Sequence, residues 1–318
     1  MHYDVFNGDA DGIIALLQLR WNEPKANTLV TGGKRDIKLL KQVPQSATSV
    51  TVLDISLEKN AEPLASLLSS GASVFYCDHH RSGVIPQHDK CETLIDVSPE
   101  ICTSLLINRY LGEQYICWAI AAAFGDNLHS VANTMAEANG LDEEQTAFLC
   151  ELGTLINYNG YGSCLEDLHI APADLYHQLQ PYQNPFELLN NPESPYFRLK
   201  SGYENDYRHV DDLQPYADTE FSTVFMLPAS IWARRVSGVF GNELANRNPS
   251  KAHAVLTMNP SKTDYTVSVR APLSNRTGAD EICCQFPTGG GRKAAAGINA
   301  LPVEQLDVFV ETLNNFYQ

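Results

Sequence analysis

The sequence predicts an α/β fold, with a parallel-sheet domain first and a smaller α/β domain after it. Three observations support this prediction. Short apolar runs alternate with helical patterns in the first part of the chain. Each of these apolar runs ends in acidic residues or histidines. A second set of strand and helix patterns follows a proline-rich stretch and includes a glycine triplet.

The first three apolar runs are predicted strands that end at Phe6, Leu53 and Cys77. Apolar residues at helical spacing predict helices between them, from Gly12 to Trp21 and from Leu57 to Ser70. Alternation of strand and helix is typical of parallel βαβ units. Because ligands of such sheets bind outside the carboxyl ends of the strands, the residues that follow these runs should meet at one edge.

The length predicts two domains, since 318 residues exceed the roughly 100–200 residues of one domain. We expect a metal-binding domain at residues 1–190 and a substrate-binding domain at residues 191–318. A linker is expected near residues 190–195, where prolines become frequent. In the second domain, strands are predicted at residues 223–227, 252–258 and 265–270.

Composition excludes several classes of protein. The net charge of −16, most of it before Pro195, argues against wrapping long duplex DNA. The sequence contains no apolar run near the roughly 20 residues of a membrane span, and its start does not resemble a signal peptide. We therefore expect a cytoplasmic protein with no membrane partner. The eight cysteines without CxxC spacing indicate reduced thiols.

Candidate metal ligands follow the predicted strands. Asp9 and Asp11 are two residues apart, so in an extended segment they point to one side. Carboxylates that share a face repel one another unless a cation lies between them, and their oxygens suit magnesium or manganese. The imidazole of His79 shifts the preference towards manganese or zinc. Two such ions about 3.5–4 Å apart promote in-line displacement at phosphorus, so phosphoester hydrolysis is the predicted reaction.

Each of these motifs alone also has a structural explanation. Asp9-Ala10-Asp11-Gly12 resembles a turn or a helix cap. Asp54 is an acid at a strand end, and Asp126 is a candidate helix cap. Two adjacent histidines after a buried strand, as in Asp78-His79-His80, rarely serve packing. The motifs in this order favour a functional site.

A glycine-rich segment in the second domain is a candidate anion-binding loop. Gly289, Gly290 and Gly291 allow backbone N–H groups to converge on an anion, and Arg292 adds a guanidinium for phosphate. The alternative is an ordinary hairpin or helix-start loop. Arg270, at the end of a predicted strand, would otherwise be a surface charge.

The order of these motifs resembles that of the DHH phosphoesterase superfamily, and the resemblance covers nearly the whole chain. Its four motifs match Asp9-Ala10-Asp11-Gly12, Asp54, Asp78-His79-His80 and Asp126. Residues 289–297 resemble the GGGH-x-x-AAG-like signature of the DHH-associated C-terminal domain, and Ser268-Val269-Arg270 is similar to the strand motif before it.

The resemblance implies a role for each matched residue. Asp54 would bridge two metal ions, with Asp9 on one ion and Asp11, His79 and Asp126 on the other. His80 would contact the scissile phosphate, and Asp78 would orient the histidines. The far end of the substrate would be held by Arg270, Gly289, Gly290, Gly291 and Arg292. The segment that begins at Asn157 resembles a substrate-binding loop of RecJ-type enzymes, with Tyr161 in place of an arginine.

Two residues depart from the family pattern. The histidine usual four residues before the first aspartate is Val5 here, and the histidine of the last motif is Arg292. We expect Mn²⁺ or Mg²⁺ as the cofactor, with two ions, one of them weakly held because of Val5.

The resemblance implies a hydrolase of the RecJ-like exonuclease and oligoribonuclease group. We expect a nuclease that binds short single-stranded nucleic acid and releases mononucleotides by two-metal in-line attack of water. Alternatives are a phosphatase of 3′-phosphoadenosine 5′-phosphate and a cyclic-dinucleotide phosphodiesterase. In a different class, Val5 is compatible with a nucleotide-binding module that has lost catalysis. Monomer and homodimer both remain open.

Overall fold

The structure, a computed structural model, describes all residues from Met1 to Gln318. The chain divides into two compact units, Met1–Ser201 and Gly202–Gln318. The region predicted as a linker, residues 190–195, contains the end of a 3₁₀ helix at Pro185–Asn190 and the start of an α-helix at Pro195–Tyr207.

The first unit is built on a sheet of five strands. These are β1 (His2–Phe6), β2 (Thr28–Thr31), β3 (Ser49–Leu53), β4 (Ser73–Asp78) and β5 (Cys91–Ile95). Their order is β2-β1-β3-β4-β5, and every neighbouring pair is parallel. The predicted parallel sheet is confirmed, with β2 and β5 as additional strands. Because the strand order reverses at β1, the carboxyl ends of β1 and β3 form a switch point, where ligands bind in such sheets.

Eight α-helices accompany this sheet, the last of which runs across the division between the units. They are α1 (Ala10–Asn22), α2 (Leu57–Ser69), α3 (Thr103–Tyr110), α4 (Ile116–Gly125), α5 (His129–Ala138), α6 (Glu143–Asn159), α7 (Pro172–Leu179) and α8 (Pro195–Tyr207). None of the chain's helices is both long and apolar enough to cross a bilayer.

Helix α1 is buried from Ala10 to Arg20, including a charged side chain. Arg20 is accommodated because it makes a two-pronged ion pair with Asp4 of β1, Nε to Oδ2 at 2.8 Å and Nη2 to Oδ1 at 2.6 Å. Burial alone would raise the pKa of Asp4, but Arg20 and His2 outweigh it and lower this pKa to about 2. The pair fixes the last turns of α1 against β1.

Helices α4 and α6 pack at very close range. Helix α4 is rich in alanine and buried from Trp118 to Gly125, so its backbone can approach its neighbours. A Cβ atom added to Gly153 of α6 would overlap the carbonyl oxygen of Ala121, and one on Gly125 would crowd Ala10. This contact sets the position of the end of α4, where Asp126 follows.

The second unit contains a mixed sheet of six strands in the order β10-β11-β9-β8-β7-β6, in which β7 and β8 are parallel and the other pairs antiparallel. Its strands are β6 (Ala217–Asp218), β7 (Ser222–Leu227), β8 (Ala252–Met258), β9 (Asp264–Arg270), β10 (Gly289–Gly291) and β11 (Ala295–Pro302). Its helices are α9 (Ile231–Arg247), α10 (Ala279–Cys283) and α11 (Leu306–Tyr317). The predicted smaller α/β part is confirmed.

Replacement of Gly153 by alanine should destabilise the first unit, because the added methyl group overlaps Ala121. We expect the free energy of unfolding to fall by about 2 kcal/mol, measured by urea denaturation followed by circular dichroism. Gly241→Ala is the matched control, since Gly241 is also helical and its Cβ would meet no atom closer than 3.8 Å. Equal stability of the two variants would contradict the close packing of α4 and α6.

Candidate metal centre

The predicted ligands of the first unit meet at the carboxyl edge of the parallel sheet. Asp9 follows β1 and caps α1, accepting a hydrogen bond from the backbone N–H of Gly12 at 3.1 Å. Asp11 lies in the first turn of the same helix, Asp54 follows β3, and His79 follows β4. All four side chains are buried. The strand order thus brings together groups that the sequence separates.

Asp54 occupies an unusual backbone conformation. Its φ angle is +56°, in the left-handed region that residues other than glycine, asparagine and aspartate rarely adopt. Its N–H donates to the carbonyl of Cys77 at 3.0 Å, which joins the ends of β3 and β4. This turn directs the carboxylate towards His79, whose Nε2 lies 3.4 Å from Asp54 Oδ1.

The imidazole of His79 is held in place by a backbone carbonyl. Its Nδ1 lies 2.9 Å from the carbonyl oxygen of Ile101, and because a carbonyl can only accept, Nδ1 carries the proton. Nε2 is therefore the nitrogen that faces the carboxylates, at 3.7 Å from Asp11 Oδ2 and 3.9 Å from Asp126 Oδ2. This is the arrangement by which protein carbonyls fix the tautomer of metal-binding histidines.

The start of α3 supports Asp11, a contact that sequence analysis did not foresee. The backbone N–H groups of Thr103 and Ser104 donate to its two carboxylate oxygens at 2.8 and 2.6 Å. The partial positive charge of a helix start favours such a carboxylate. The hydroxyl of Thr103 lies 3.5 Å from Asp54 Oδ1, so the same turn reaches both acids.

His80 and Asp78 form a hydrogen-bonded pair next to Asp54. Nδ1 of His80 lies 2.7 Å from Asp78 Oδ1 and 3.6 Å from Asp54 Oδ1. Burial would raise the pKa of Asp78, but His80 outweighs it and holds this pKa below its ordinary value. In contrast to the buried Asp78, the His80 side chain is 28% exposed, so its ring is accessible from solvent.

The electrostatics of the cluster fit a divalent cation. Burial, together with repulsion from Asp9 and Asp11, raises the pKa of Asp54 well above its ordinary value. Burial also raises the pKa of Asp11. Ligand atoms of Asp54, His79 and His80 lie within 4.8 Å of one another. Carboxylate oxygens with imidazole nitrogen are the donors that manganese accepts.

A lysine that sequence analysis did not include also reaches the cluster. Nζ of Lys34 lies 2.5 Å from Asp9 Oδ2 and 2.8 Å from Asn157 Oδ1. Asn157, a candidate substrate-binding residue, is buried in the last turn of α6 and is engaged by this lysine. Burial would raise the pKa of Asp9, but Lys34 outweighs it and lowers this pKa. Lys34 lies just after β2, at the same sheet edge, and the short strand β2 was not predicted from the sequence.

In the second unit, the glycine triplet forms a β-strand. Gly289–Gly291 pairs with Gly297 and its neighbours in a hairpin whose turn contains Arg292. Packing explains two of the glycines, since a Cβ on Gly289 would overlap Cys283 and one on Gly291 would overlap Ala296. A Cβ on Gly290 would meet no atom within 4 Å. The middle glycine therefore lies in open space.

Arg270 lies at the end of β9, in register with Ala295 at the start of β11. Its guanidinium donates to Asn242 Oδ1 at 2.6 Å and to the carbonyl of Gly238 at 3.3 Å, both on α9. Helix α9 thus fixes its orientation. Arg270 and the hairpin turn lie at the same end of the mixed sheet.

No protein-family model matches the sequence, and neither does any curated protein. Among solved structures, exonuclease RecJ bound to manganese matches 99% of this chain and 89% of its own, at 16% identity and a TM-score of 0.64. RecJ from Thermus thermophilus in complex with Mn²⁺ matches 99% of this chain, at 15% identity and a TM-score of 0.64. This chain spans only 52% of the length of that protein. The pGpG-specific phosphodiesterase PggH from Vibrio cholerae matches 100% of this chain and 99% of its own, at 15% identity and 0.60. At identities of 15–16%, the structural likeness establishes a shared fold and nothing more.

Replacement of Asp54 by asparagine should stabilise the metal-free protein, because it removes one of the mutually repelling buried charges. Asparagine also tolerates the φ angle of this position. We expect the free energy of unfolding to rise by about 1–2 kcal/mol in the presence of chelator, measured by thermal and urea denaturation. Asp89→Asn, at an exposed aspartate, is the control and should change nothing.

The stabilisation should depend on pH in a defined direction. Because folding raises the pKa of Asp54, the wild type loses stability as the pH rises above the ordinary value near 4 and through the raised pKa. The advantage of Asp54→Asn should therefore be larger at pH 8 than at pH 5. If the stability difference between Asp54→Asn and the wild type were constant or smaller at pH 8, repulsion between Asp54 and the neighbouring carboxylates would be excluded as its cause.

Proposed function

We propose that this chain, which has the fold of the DHH phosphoesterases, is a divalent-metal-dependent phosphodiesterase that hydrolyses short single-stranded nucleic acid. The fold rests on the likeness to solved structures. The activity, the metal and the substrate are proposals, and they rest on the residues of the cluster.

The observation that carries this proposal is the convergence of three carboxylates around Nε2 of His79. Nε2 lies within 4 Å of oxygens of Asp11, Asp54 and Asp126. A structural role is a poor explanation for this cluster, because burial of repelling charges destabilises a fold unless a cation compensates them. The aspartate and histidine donors point to manganese or magnesium.

A bound divalent ion would supply charge neutralisation and water activation for phosphoryl transfer. The candidate ligands for divalent ions are Asp9, Asp11, Asp54, His79 and Asp126. The chain itself orients them, because the start of α3 holds Asp11 and the carbonyl of Ile101 holds the ring of His79.

We assign His80 to the scissile phosphate. Oδ1 of Asp78 lies 2.7 Å from Nδ1 of His80, which fixes the orientation of the ring. A ring protonated at both nitrogens can donate from Nε2 to a phosphate oxygen, and the exposure of His80 gives a substrate access to it. Asp78 acts through His80 and is a positioning residue.

Short substrates are supported by two observations. The chain and the pGpG-specific phosphodiesterase cover each other almost completely, whereas the chain spans about half of RecJ from Thermus thermophilus. The net charge of −16 disfavours binding along a long polyanion. For the remainder of a short substrate we propose these binding residues: Arg270, Gly289, Gly290, Gly291, Arg292 and Asn157.

The proposal is tested with 5′-labelled RNA and DNA single strands from dinucleotide to about twenty nucleotides, with Mn²⁺ or with chelator. The set includes 3′-phosphoadenosine 5′-phosphate and a cyclic dinucleotide, which represent the alternative activities. We expect metal-dependent mononucleotide release, fastest on the shortest strands, and a loss of more than about a hundredfold in kcat for Asp54→Asn. Asp89→Asn serves as the matched control.

Two results would contradict the proposal. Full activity of Asp54→Asn would exclude the acidic cluster as the site of hydrolysis. Survival of every substrate, together with tight nucleotide binding in chelator, would favour the nucleotide-binding module instead. Preferential hydrolysis of the phosphoadenosine or of the cyclic substrate would keep the phosphoesterase activity and change the substrate.

Replacement of Arg292 by alanine should raise KM about tenfold or more with little change in kcat, because the guanidinium is assigned to substrate binding. Steady-state kinetics on the best substrate measure this effect. Lys293→Ala is the matched control, since Lys293 is the neighbouring cation and is exposed. Identical behaviour of the two variants would remove the specific role of Arg292.

A further inference from the structure

Lys34 places a positive charge against the acidic cluster. Its ammonium contacts two oxygens, Asp9 Oδ2 at 2.5 Å and Asn157 Oδ1 at 2.8 Å. A third contact is the ring of Tyr161, whose centroid lies 5.5 Å from Nζ. The side chain is 22% exposed, whereas Asp9 is 4% exposed. An ammonium has three donors, and these neighbours surround it.

The position of Lys34 is fixed by its backbone on both sides. Its N–H donates to the carbonyl of Gly160 at 2.8 Å, and its own carbonyl accepts from Asn7 Nδ2 at 3.3 Å. Gly160 also lies close to Asp9, since a Cβ there would be 3.2 Å from the Asp9 Cα and Cβ atoms. The backbone of Lys34 is therefore hydrogen-bonded both to the end of α6 and to Asn7, which follows β1.

At Val5 of β1, the chain lacks a ligand that the sequence resemblance implies. Val5 stands in place of the usual histidine, and its side chain is fully buried in an apolar cluster with Val30 and Val52 of the adjacent strands. Valine offers no donor atom to an ion. The oxygen of Asn7, Oδ1, is buried without a hydrogen-bond partner and is the remaining candidate donor near β1.

We propose that the Lys34 ammonium permanently occupies the cation position at Asp9, so that the chain binds one divalent ion rather than two. The single ion is held by Asp11, Asp54, His79 and Asp126. A second divalent ion on Asp9 would have to displace the ammonium or lie against it, and like charges repel. Lys34 thus supplies as fixed charge what a second ion would supply.

This inference rests on the metal requirement of the proposed function but not on its substrate. It is tested by the number of Mn²⁺ ions bound per chain, measured by isothermal titration calorimetry and elemental analysis. Electron paramagnetic resonance provides an independent readout, since two coupled Mn²⁺ ions give a spectrum different from that of a single ion. None of these measurements uses activity.

The informative variants are Lys34→Met, which keeps a long side chain and removes the charge, and Lys34→Arg, which keeps the charge. We expect one ion in the wild type and in Lys34→Arg, and two ions, with an exchange-coupled signal, in Lys34→Met. Lys38→Met, at an exposed lysine four residues later, is the matched control and should bind one ion. Circular dichroism checks that each variant is folded.

Two ions in the wild type would overturn the inference and show that the ion displaces Lys34, with Asn7 as a candidate ligand; the proposed function would stand. One ion in Lys34→Met would also overturn it, because the lysine would then not be what excludes the second ion. No bound ion in the wild type would defeat the metal requirement itself, and with it the proposed function.

Discussion

Repulsion among buried carboxylates is the constraint on which the first unit depends. Asp9, Asp11 and Asp54 meet because β1 and β3 are neighbours whose carboxyl ends lie at one edge. Burial removes the water that would stabilise their charges, so each needs a positively polarised partner. The partners differ: an ammonium from Lys34 for Asp9, helix-start N–H groups for Asp11, and for Asp54 an imidazole with a hydroxyl at 3.5 Å. This compensation is uneven, and the pKa of Asp54 stays well above its ordinary value.

The helices around the sheet serve to deliver these partners. The end of α6 brings Asn157 and Gly160 against Asp9 and Lys34, and the start of α3 brings its N–H groups to Asp11. Such hydrogen bonds require that the helices pack closely and in fixed positions against the sheet. They explain why small residues, such as Gly153 against α4, occur where larger apolar residues would otherwise fill the interior.

The sequence was sufficient to predict the parallel sheet, because β1, β3 and β4 are apolar runs that end in acids or histidines. It was also sufficient to predict that Asp9, Asp54 and His79 lie close together, since the carboxyl ends of parallel strands lie at the same edge of the sheet. It did not reveal β2, a strand of four residues with no strong apolar pattern, and without β2 Lys34 had no predicted place at that edge. The partner of Lys34 in α6 is 123 residues away, and local patterns carry no information on such a pairing.

The left-handed backbone at Asp54 has a consequence for how this site can be lost. Aspartate codons are one nucleotide from those of asparagine and glycine, the two residues that accept a φ angle of +56° most readily. Genetic drift at this codon therefore opens a route to chains that fold normally and lack the central carboxylate. Folding alone does not protect the acid. A descendant that carried asparagine here would keep the backbone of this turn without the charge.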